Sequence, residues 1–265
     1  MEDAEYELMS EVQDSHWWWL GRQKIVEAII QRHIGRSQPL SIADVGCGCG
    51  AHLSMLRRYG RVTGLEPNEE AMKKLLEADS NGEVRLIKWK CPDPLDEKFD
   101  LILMTDVLEH IRDDAEAVSW IYDHLHDGGH ALLTVPAHQF FWSQMDEIVH
   151  HFRRYSRHNF LELFRKKFAI KKFSFYNFFL FPVKAVFVMF ARCVTVVFPH
   201  RPKRSYNGLP PRFMNGLFRR ILDLESLLIQ WLSFPNGVSM VLLVQKKSSY
   251  TSRGSPATVS SVFRY

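Results

Sequence analysis

A chain of 265 residues, 46% hydrophobic and 24% charged, has the balance of a folded globular protein, which excludes wholesale disorder. Its length suits one large domain, or one domain carrying an insertion. The formal net charge of +4 is too small to point to nucleic acid. The basic runs "FRRYSR", "FRKKFAIKK", "HRPKR" and "FRR" nevertheless all fall after residue 150, which favours an acidic substrate or an anionic membrane surface near the C-terminal half.

The opening stretch "MEDAEYELMSEVQDSH" is acidic and polar, the wrong composition for export or organelle targeting. Cys47, Cys49, Cys91 and Cys193 have no disulfide-framework spacing, so a reducing, cytoplasmic setting is expected. "HWWWLGR" follows. Its three consecutive tryptophans cannot all face one core. Either they form a lid over a ligand, with Trp18 and Arg22 reaching a substrate, or the helix packs them on the sheet edge. Residues 23–34 carry helical spacing, with Ile25, Ala28, Ile29 and Ile30 on one face.

"LSIADVG" reads as a buried first strand, "AHLSMLRRYG" as a helix stopped by Gly60, and "RVTGLEP" as the second strand. "EEAMKKLLEA", capped by Asn68, is helical, and "EVRLIKW" is the third strand. "FDLILM" is an unbroken apolar run, as a strand covered on both faces should be. "DDAEAVSWIYDHLHDGG" is a helix with a glycine stop, and "HALLTVP" is the fifth strand. Alternation of this kind from about residue 40 to 136 predicts an α/β fold, a Rossmann-like parallel sheet with helices on both faces.

Beyond it, "RHNFLELFRKKF" is helical, "AIKKFSFYN" is a sixth strand and "NGVSMVLLVQKK" is a late strand preceded by a turn rather than a crossover. The expected organisation is therefore N-terminal lid and helices over 1–36, a core over 37–175 and 235–247, an apolar helical insertion over 176–234 and a disordered Ser-rich tail over 248–265. The insertion places "FFLFPVKAVFVMFARCVTVVFP" before a basic, proline-rich linker and an amphipathic second half. The first piece is long enough to span a bilayer, but Pro182, Lys184 and Arg192 interrupt it and it lies between two strands of one sheet. Interfacial burial on a membrane, or a cover over the acceptor, fits better.

The stretch "SIADVGCGCGAHL" carries the first chemistry. Glycines after a first strand let the chain turn tightly and let a ligand approach the backbone, and the next helix aims its N-terminus at that ligand. Gly46 to Ala51 fits the loose dinucleotide pattern, and Glu66, at the end of the second strand, suits ribose hydroxyls of a dinucleotide or of S-adenosylmethionine (SAM) alike. Asp44 discriminates: a carboxylate ahead of the first glycine repels a pyrophosphate and suits the ammonium of a methionyl group. Cys47 and Cys49 have no second pair at zinc spacing, so no metal is expected.

Taken in order, "IADVGCGCGAHL", "VTGLEP", "FDLILMTDVLEHI" and "GGHALLTVPA" resemble the successive motifs of class I SAM-dependent methyltransferases, over roughly residues 40–175 and 237–245. "HWWWLGRQKIV" and "WSQMDEIVHHFRRYS" resemble a bacterial subgroup acting on small molecules. The resemblance implies a seven-stranded, mostly parallel sheet with an antiparallel last strand. It implies that Asp44, Gly46, Cys47, Gly48 and Gly50 shape the methionine and ribose pocket, that Glu66 takes the ribose hydroxyls between Leu65 and Pro67, and that Asp106 and Val107 line the adenine and methionine side. Relatives often place an Asp after the third strand; here "KWKCPDP" offers Lys90 or Cys91, with backbone groups or Asp93 as substitutes.

If the nucleophile is a hydroxyl, a general base helps. Glu109 and His110 follow the fourth strand, either as chemistry or as braces of the loop. After the fifth strand, Asp146 and His151 supply a carboxylate and a base, and Trp142, Arg153, Arg154 and Tyr155 offer contacts to an acidic acceptor; a solvated basic loop is the bland alternative. The expected activity is methyl transfer from SAM to a small-molecule or lipid-linked acceptor, by O-methylation, in a cytoplasmic or membrane-associated protein that does not act on nucleic acid. A non-catalytic membrane-associated SAM-fold protein and an NAD-dependent oxidoreductase are the alternatives.

Overall fold

The computed structural model describes residues 3–35, 38–78, 82–197 and 208–247. Two helices, α1 (Asp3–Val12) and α2 (Trp17–His33), precede β1 (Leu40–Val45), α3 (Leu53–Leu56), β2 (Gly60–Glu66), α4 (Glu69–Ala78), β3 (Arg85–Lys88) and β4 (Phe99–Thr105). The chain continues through α5 (Asp114–His124), β5 (Leu125–Pro136), α6 (Gln144–Ile148), α7 (Arg157–Arg165) and β6 (Phe168–Tyr176). Then come α8 (Phe181–Val197), α9 (Arg212–Ile229) and β7 (Ser239–Lys246). The expected tail over 248–265, and residues 198–207 of the basic linker, lie outside the described residues.

The strands form one seven-stranded sheet in the order β3-β2-β1-β4-β5-β7-β6. The pairs from β3 to β5 are parallel, and β7 runs antiparallel to both β5 and β6. This is the predicted α/β, Rossmann-like architecture with its antiparallel last strand. β1 and β4 are the central pair, and Ile42, Ala43, Leu101, Ile102 and Leu103 are fully buried because both faces are covered. Chain order reverses between β1 and β4. In such sheets the reversal opens a crevice at the carboxyl ends of the two strands, where ligands bind.

Helix α2 covers one face with Ile25, Ile29 and Ile30, fully buried and each worth about 1.5–3 kcal/mol of transfer free energy. It starts earlier than its spacing predicted, at Trp17, because the His16 ring accepts the Trp18 amide at 3.1 Å and caps it. Burial holds that ring at about 4, against a weaker upward pull from the Gly208 backbone, so His16 is a neutral acceptor at physiological pH. Gly21 lets α9 approach: a Cβ there would stand 2.3 Å from the Leu222 Cδ1.

Two elements differ from expectation. The helix predicted over "AHLSMLRRYG" is only the single turn Leu53–Leu56. Residues before it stay in the turn that closes the glycine loop, with Gly50 donating to the Cys47 carbonyl and Leu53 to that of Gly50. The glycine stop of α5 is instead part of β5, which begins at Leu125. The β4 register steps from Phe99 opposite Leu125 to Leu101 opposite His130, so residues 126–129 bulge outward, with Gly128 at φ 80°.

Candidate active site

At the crevice lies a cavity of about 1240 Å³. One end is the glycine loop, the other a polar cluster built from the segments after β4 and β5.

The loop is held from behind. The Gly46 and Cys47 amides donate to the Leu65 carbonyl at 2.7 and 3.3 Å, fastening it to β2. Gly46 and Gly48 have φ of 66° and 55°, and a Cβ at Gly46 would stand 2.6 Å from the Val107 side chain. Glu66 closes β2 with its carboxylate accepting the Gly48 amide at 2.8 Å and the Asn68 amide at 3.0 Å. Burial, the larger influence, raises its pKa against these bonds. Helix α1 lies across the loop: Tyr6 donates to Glu66 at 3.4 Å, and Gln13 to the Cys49 carbonyl at 2.9 Å.

Asp44 sits one layer deeper, 1% exposed, with both carboxylate oxygens lacking a hydrogen-bond partner. Burial pushes its pKa to about 8, with Arg22 pulling it down and Glu66 pushing it up. An orphaned buried carboxylate behind a loop of left-handed glycines is a donor set that fits a cationic amino acid moiety. Asp44 does not itself line the cavity; Glu66, Pro67, Gly46, Cys47 and Gly48 line its loop end. Gly50 and Leu65 do not: Gly50 packs on Leu53 and Leu75, and Leu65 is fully buried in the core. Both shape the loop rather than face a ligand. Lys90 and Cys91 line the cavity and Asp93 does not.

The tryptophans divide three ways. Trp19 is buried edge-on against His16, Trp17 packs on Phe218 of α9, and Trp18 stacks on Tyr176 at the cavity wall. All three nevertheless line the cavity, so one helix start serves the core, the insertion and the pocket together. Arg22 is buried and forms an ion pair with Asp106, whose other oxygen accepts from Thr134 at 3.0 Å. Arg22 therefore fixes the residue that follows β4, which has φ 53°, while also lining the cavity.

The polar cluster comes from two distant segments. Glu109 and His110 end a short 3-10 turn (Leu108–His110) after β4. Residues 150–155 are tied to that turn: Phe152 donates to the Glu109 carbonyl at 2.9 Å, and Ala137 bridges to Tyr155. Asp146 caps α6, accepting the Ser143 amide at 2.8 Å. The same carboxylate meets the His151 Nδ1 at 2.9 Å and accepts from Arg154 through Nε at 2.7 Å and Nη2 at 3.2 Å. Burial pushes Asp146 up, but the His151, Arg154 and Ser143 bonds outweigh it and hold the carboxyl below the usual range. The His151 Nε2 faces the cavity, 3.8 Å from a Glu109 oxygen. The His110 ring packs edge-on to His151 at 4.6 Å, and burial lowers it to about 3, so it is neutral.

Three expected acceptor contacts, Trp142, Arg153 and Tyr155, stand away from the cavity wall. Tyr155 is buried and donates to Asp114 at 2.9 Å, and Arg153 pairs with the same carboxylate at 2.6 Å, so both lock the loop onto α5. Trp142 lies beyond the capping turn, its carbonyl taken by Arg192 at 3.3 Å. Spacing missed Lys184 of α8, His52 and Tyr6, which do line the cavity. Lys184 sits inside an apolar run and gave no signal except as an interruption of it.

The methyltransferase-domain family matches residues 18–168, more than half of the chain. Among curated proteins, the tRNA U34 carboxymethyltransferases of Shewanella oneidensis and Shewanella loihica are 32% and 30% identical over 114 and 112 residues, 39% of this chain and 34% of theirs. The chain thus matches about a third of the length of these relatives. The fold is shared with an S-adenosylmethionine-dependent methyltransferase from Mesorhizobium loti, at TM-score 0.55 and 15% identity over 88% of this chain and 100% of that one. It is shared also with the SAM-bound magnesium protoporphyrin IX methyltransferase of Synechocystis, at TM-score 0.53 and 12% identity over 87% and 82%. This chain therefore belongs to the methyltransferase-domain family.

Proposed function

We propose that the chain methylates a hydroxyl group on an acidic small-molecule or lipid-linked acceptor. Bound SAM supplies a methyl group activated on a sulfonium. The protein has to hold an acceptor oxygen behind that methyl, take its proton and keep water away. At the loop end, Glu66 would hold the ribose hydroxyls, Lys90 and Cys91 would flank the adenine, and Asp44, behind the loop, would supply the negative charge that favours the ammonium.

The observation that carries the reading is the Asp146–His151 pair, 2.9 Å apart, in the cavity that the glycine loop also lines. Asp146 fixes the tautomer with Nδ1 protonated, leaving Nε2 to accept the hydroxyl proton as the new oxygen–methyl bond forms. Arg154 and Lys184 line the acceptor end and favour an anionic group there. The flanking "HWWWLGR" and "HFRRYS" segments support placement in the small-molecule subgroup. The curated relatives carry tRNA in their names, but the match spans a third of their length, so the acceptor reading rests on this chain's own cavity.

Delivery from a lipid surface is supported by the insertion. α8 and α9 stand at the mouth of the cavity, Phe187 and Phe218 lining it, while Val186, Phe190 and Phe213 are at least two-thirds exposed. Among the described residues no helix is long and apolar enough to cross a membrane.

The test is a screen of metabolite and lipid extracts with methyl-labelled SAM, followed by identification of the labelled atom. Label on oxygen of an acidic acceptor is expected. Label on nitrogen or carbon overturns the O-methyl reading. In His151→Ala turnover should fall about 10²–10⁴-fold with SAM affinity unchanged, and unchanged turnover removes His151 from the reaction.

A further inference from the structure

The proton step leaves one group unexplained. Glu109 is fully buried, lines the cavity, and among the described residues has no hydrogen-bond partner for either carboxylate oxygen beyond its own backbone amide. A buried carboxylate without partners is costly and calls for a cation or a proton. Among the described residues no side chain ammonium or guanidinium bonds to it: Arg22 is committed to Asp106, and Arg154 to Asp146. Asp106 itself is saturated by Arg22 and Thr134.

We infer that Glu109, His110 and His151 form a site for a divalent transition-metal cation of the zinc class. One carboxylate oxygen and one ring nitrogen from each histidine lie within 4.8 Å of one another. The His151 Nε2 to Glu109 oxygen separation of 3.8 Å is close to the tetrahedral edge of about 3.3 Å that bonds of about 2.0–2.1 Å require. The His151 Nδ1 is held from behind by Asp146, and the His110 ring meets the backbone of His150. A carboxylate or carbonyl behind a histidine fixes the tautomer that presents a lone pair to an ion. Two histidines and one carboxylate, with the open side on a cavity, are also the ligand set of catalytic rather than structural zinc sites. Residue spacing carries no such signal, because Glu109 and His110 are neighbours in the chain and His151 lies far downstream, whereas Cys47 and Cys49 stand in one loop. Both are distant in function: the loop they stand in serves the other end of the cavity.

This inference rests on the methyltransferase reading and changes only its proton step. The acceptor oxygen would take the open coordination position, and the cation would make its hydroxyl more acidic. The proton then leaves to solvent, the oxygen–methyl bond forms, and His151 acts as a ligand. In the cation-free protein His151 remains the base.

The test is a Co²⁺ titration of chelator-stripped full-length protein, followed by absorption, with Zn²⁺ competition by calorimetry. One ion per chain is expected, with visible bands of a four- or five-coordinate nitrogen and oxygen site, displaced by Zn²⁺. Glu109→Gln and His110→Asn should each weaken binding at least tenfold, with melting temperature monitored to show that each folds. A near-ultraviolet thiolate band would assign the ion to Cys47 and Cys49 and overturn the site, as would equal binding by wild type and both variants, or no binding at all. SAM binding is measured by calorimetry on the same stripped protein. SAM binding with no Co²⁺ binding rejects the cation site and leaves the methyltransferase reading standing; Co²⁺ binding with no SAM binding does the reverse.

Discussion

The two ends of the cavity are built by opposite strategies. The cofactor end comes from one continuous stretch, β1 through β2, in which backbone geometry does the shaping and Gly46 and Gly48 sit at positive φ. The acceptor end is assembled from segments far apart in sequence, and bonds to the Asp146 side chain shape it, from the Ser143 amide, His151 and Arg154, with one backbone bond from Phe152 to the Glu109 carbonyl joining the segments. A local loop can be made with a few small residues. A convergent cluster needs every member satisfied, so one substitution should spread further there.

The largest effect should therefore come from Asp146→Asn. The amide offers the His151 Nδ1 the wrong partner and leaves Arg154 without its charge. We expect turnover to fall about 10²–10⁴-fold, with SAM affinity unchanged by calorimetry. A matching loss of SAM affinity would show that the two ends are not separable.

At the cofactor end, Asp44→Asn should weaken SAM binding about 10–100-fold, the worth of about one charge-assisted bond. The same carboxylate ties stability to pH. Burial holds it at about 8 in the fold, against about 3.9 in the unfolded chain. Between those values the folded state keeps a proton that the unfolded state has lost, so the contribution is fully present at acid pH and is lost as pH rises toward 8. Wild type and Asp44→Asn should melt together near pH 4, and the variant should melt higher at pH 8. SAM binding at pH 7 should release a proton from Asp44, visible as a dependence of the calorimetric heat on the buffer's ionisation enthalpy. Equal heats in all buffers would mean that Asp44 is already charged.

That asymmetry also sets what the sequence could show. The strands of the cofactor end were legible because β1 and β4, covered on both faces, must be unbroken apolar runs, and because Gly46, Gly48 and Gly50 alternate within one short loop. α3 was overestimated because apolar spacing does not reveal that residues 50–53 are spent closing the loop. At the acceptor end, Asp146 and His151 were visible as residue types, but their pairing depends on the capping turn at Ser143 and on the positive φ of His150. Arg153 and Tyr155 look like acceptor contacts in one dimension. Only the fold shows that Asp114, on another helix, takes both. Glu109 looked like a brace because its isolation exists only in three dimensions.

A smaller effect tests how far the acceptor end extends. Gly21→Ala would push a methyl into Leu222, which sits 2.3 Å from the added carbon, and would lever α9 away from α2. Overpacking of this kind costs about 1–3 kcal/mol. Melting temperature should fall by several degrees, and the acceptor KM should rise more than the SAM KM, since α9 walls only the acceptor side. Equal changes in both would mean that α9 supports the whole cavity.

The smallest expected effect concerns the outward face of α8. Val186 and Phe190 are 68% and 67% exposed, four residues apart on one side of the helix, while Val183, Lys184 and Phe187 turn toward the cavity. A helix with one apolar side on its own pocket and another on solvent gains from a lipid surface only on the second side. Replacing Val186 and Phe190 by Asp should therefore reduce flotation with anionic vesicles several-fold. It should leave turnover of a water-soluble acceptor unchanged, because neither side chain lines the cavity. Loss of turnover with flotation intact would mean that this face closes over the acceptor instead of meeting lipid. Equal flotation of wild type and variant would remove the lipid surface from the proposal while leaving the chemistry of the acceptor end untouched.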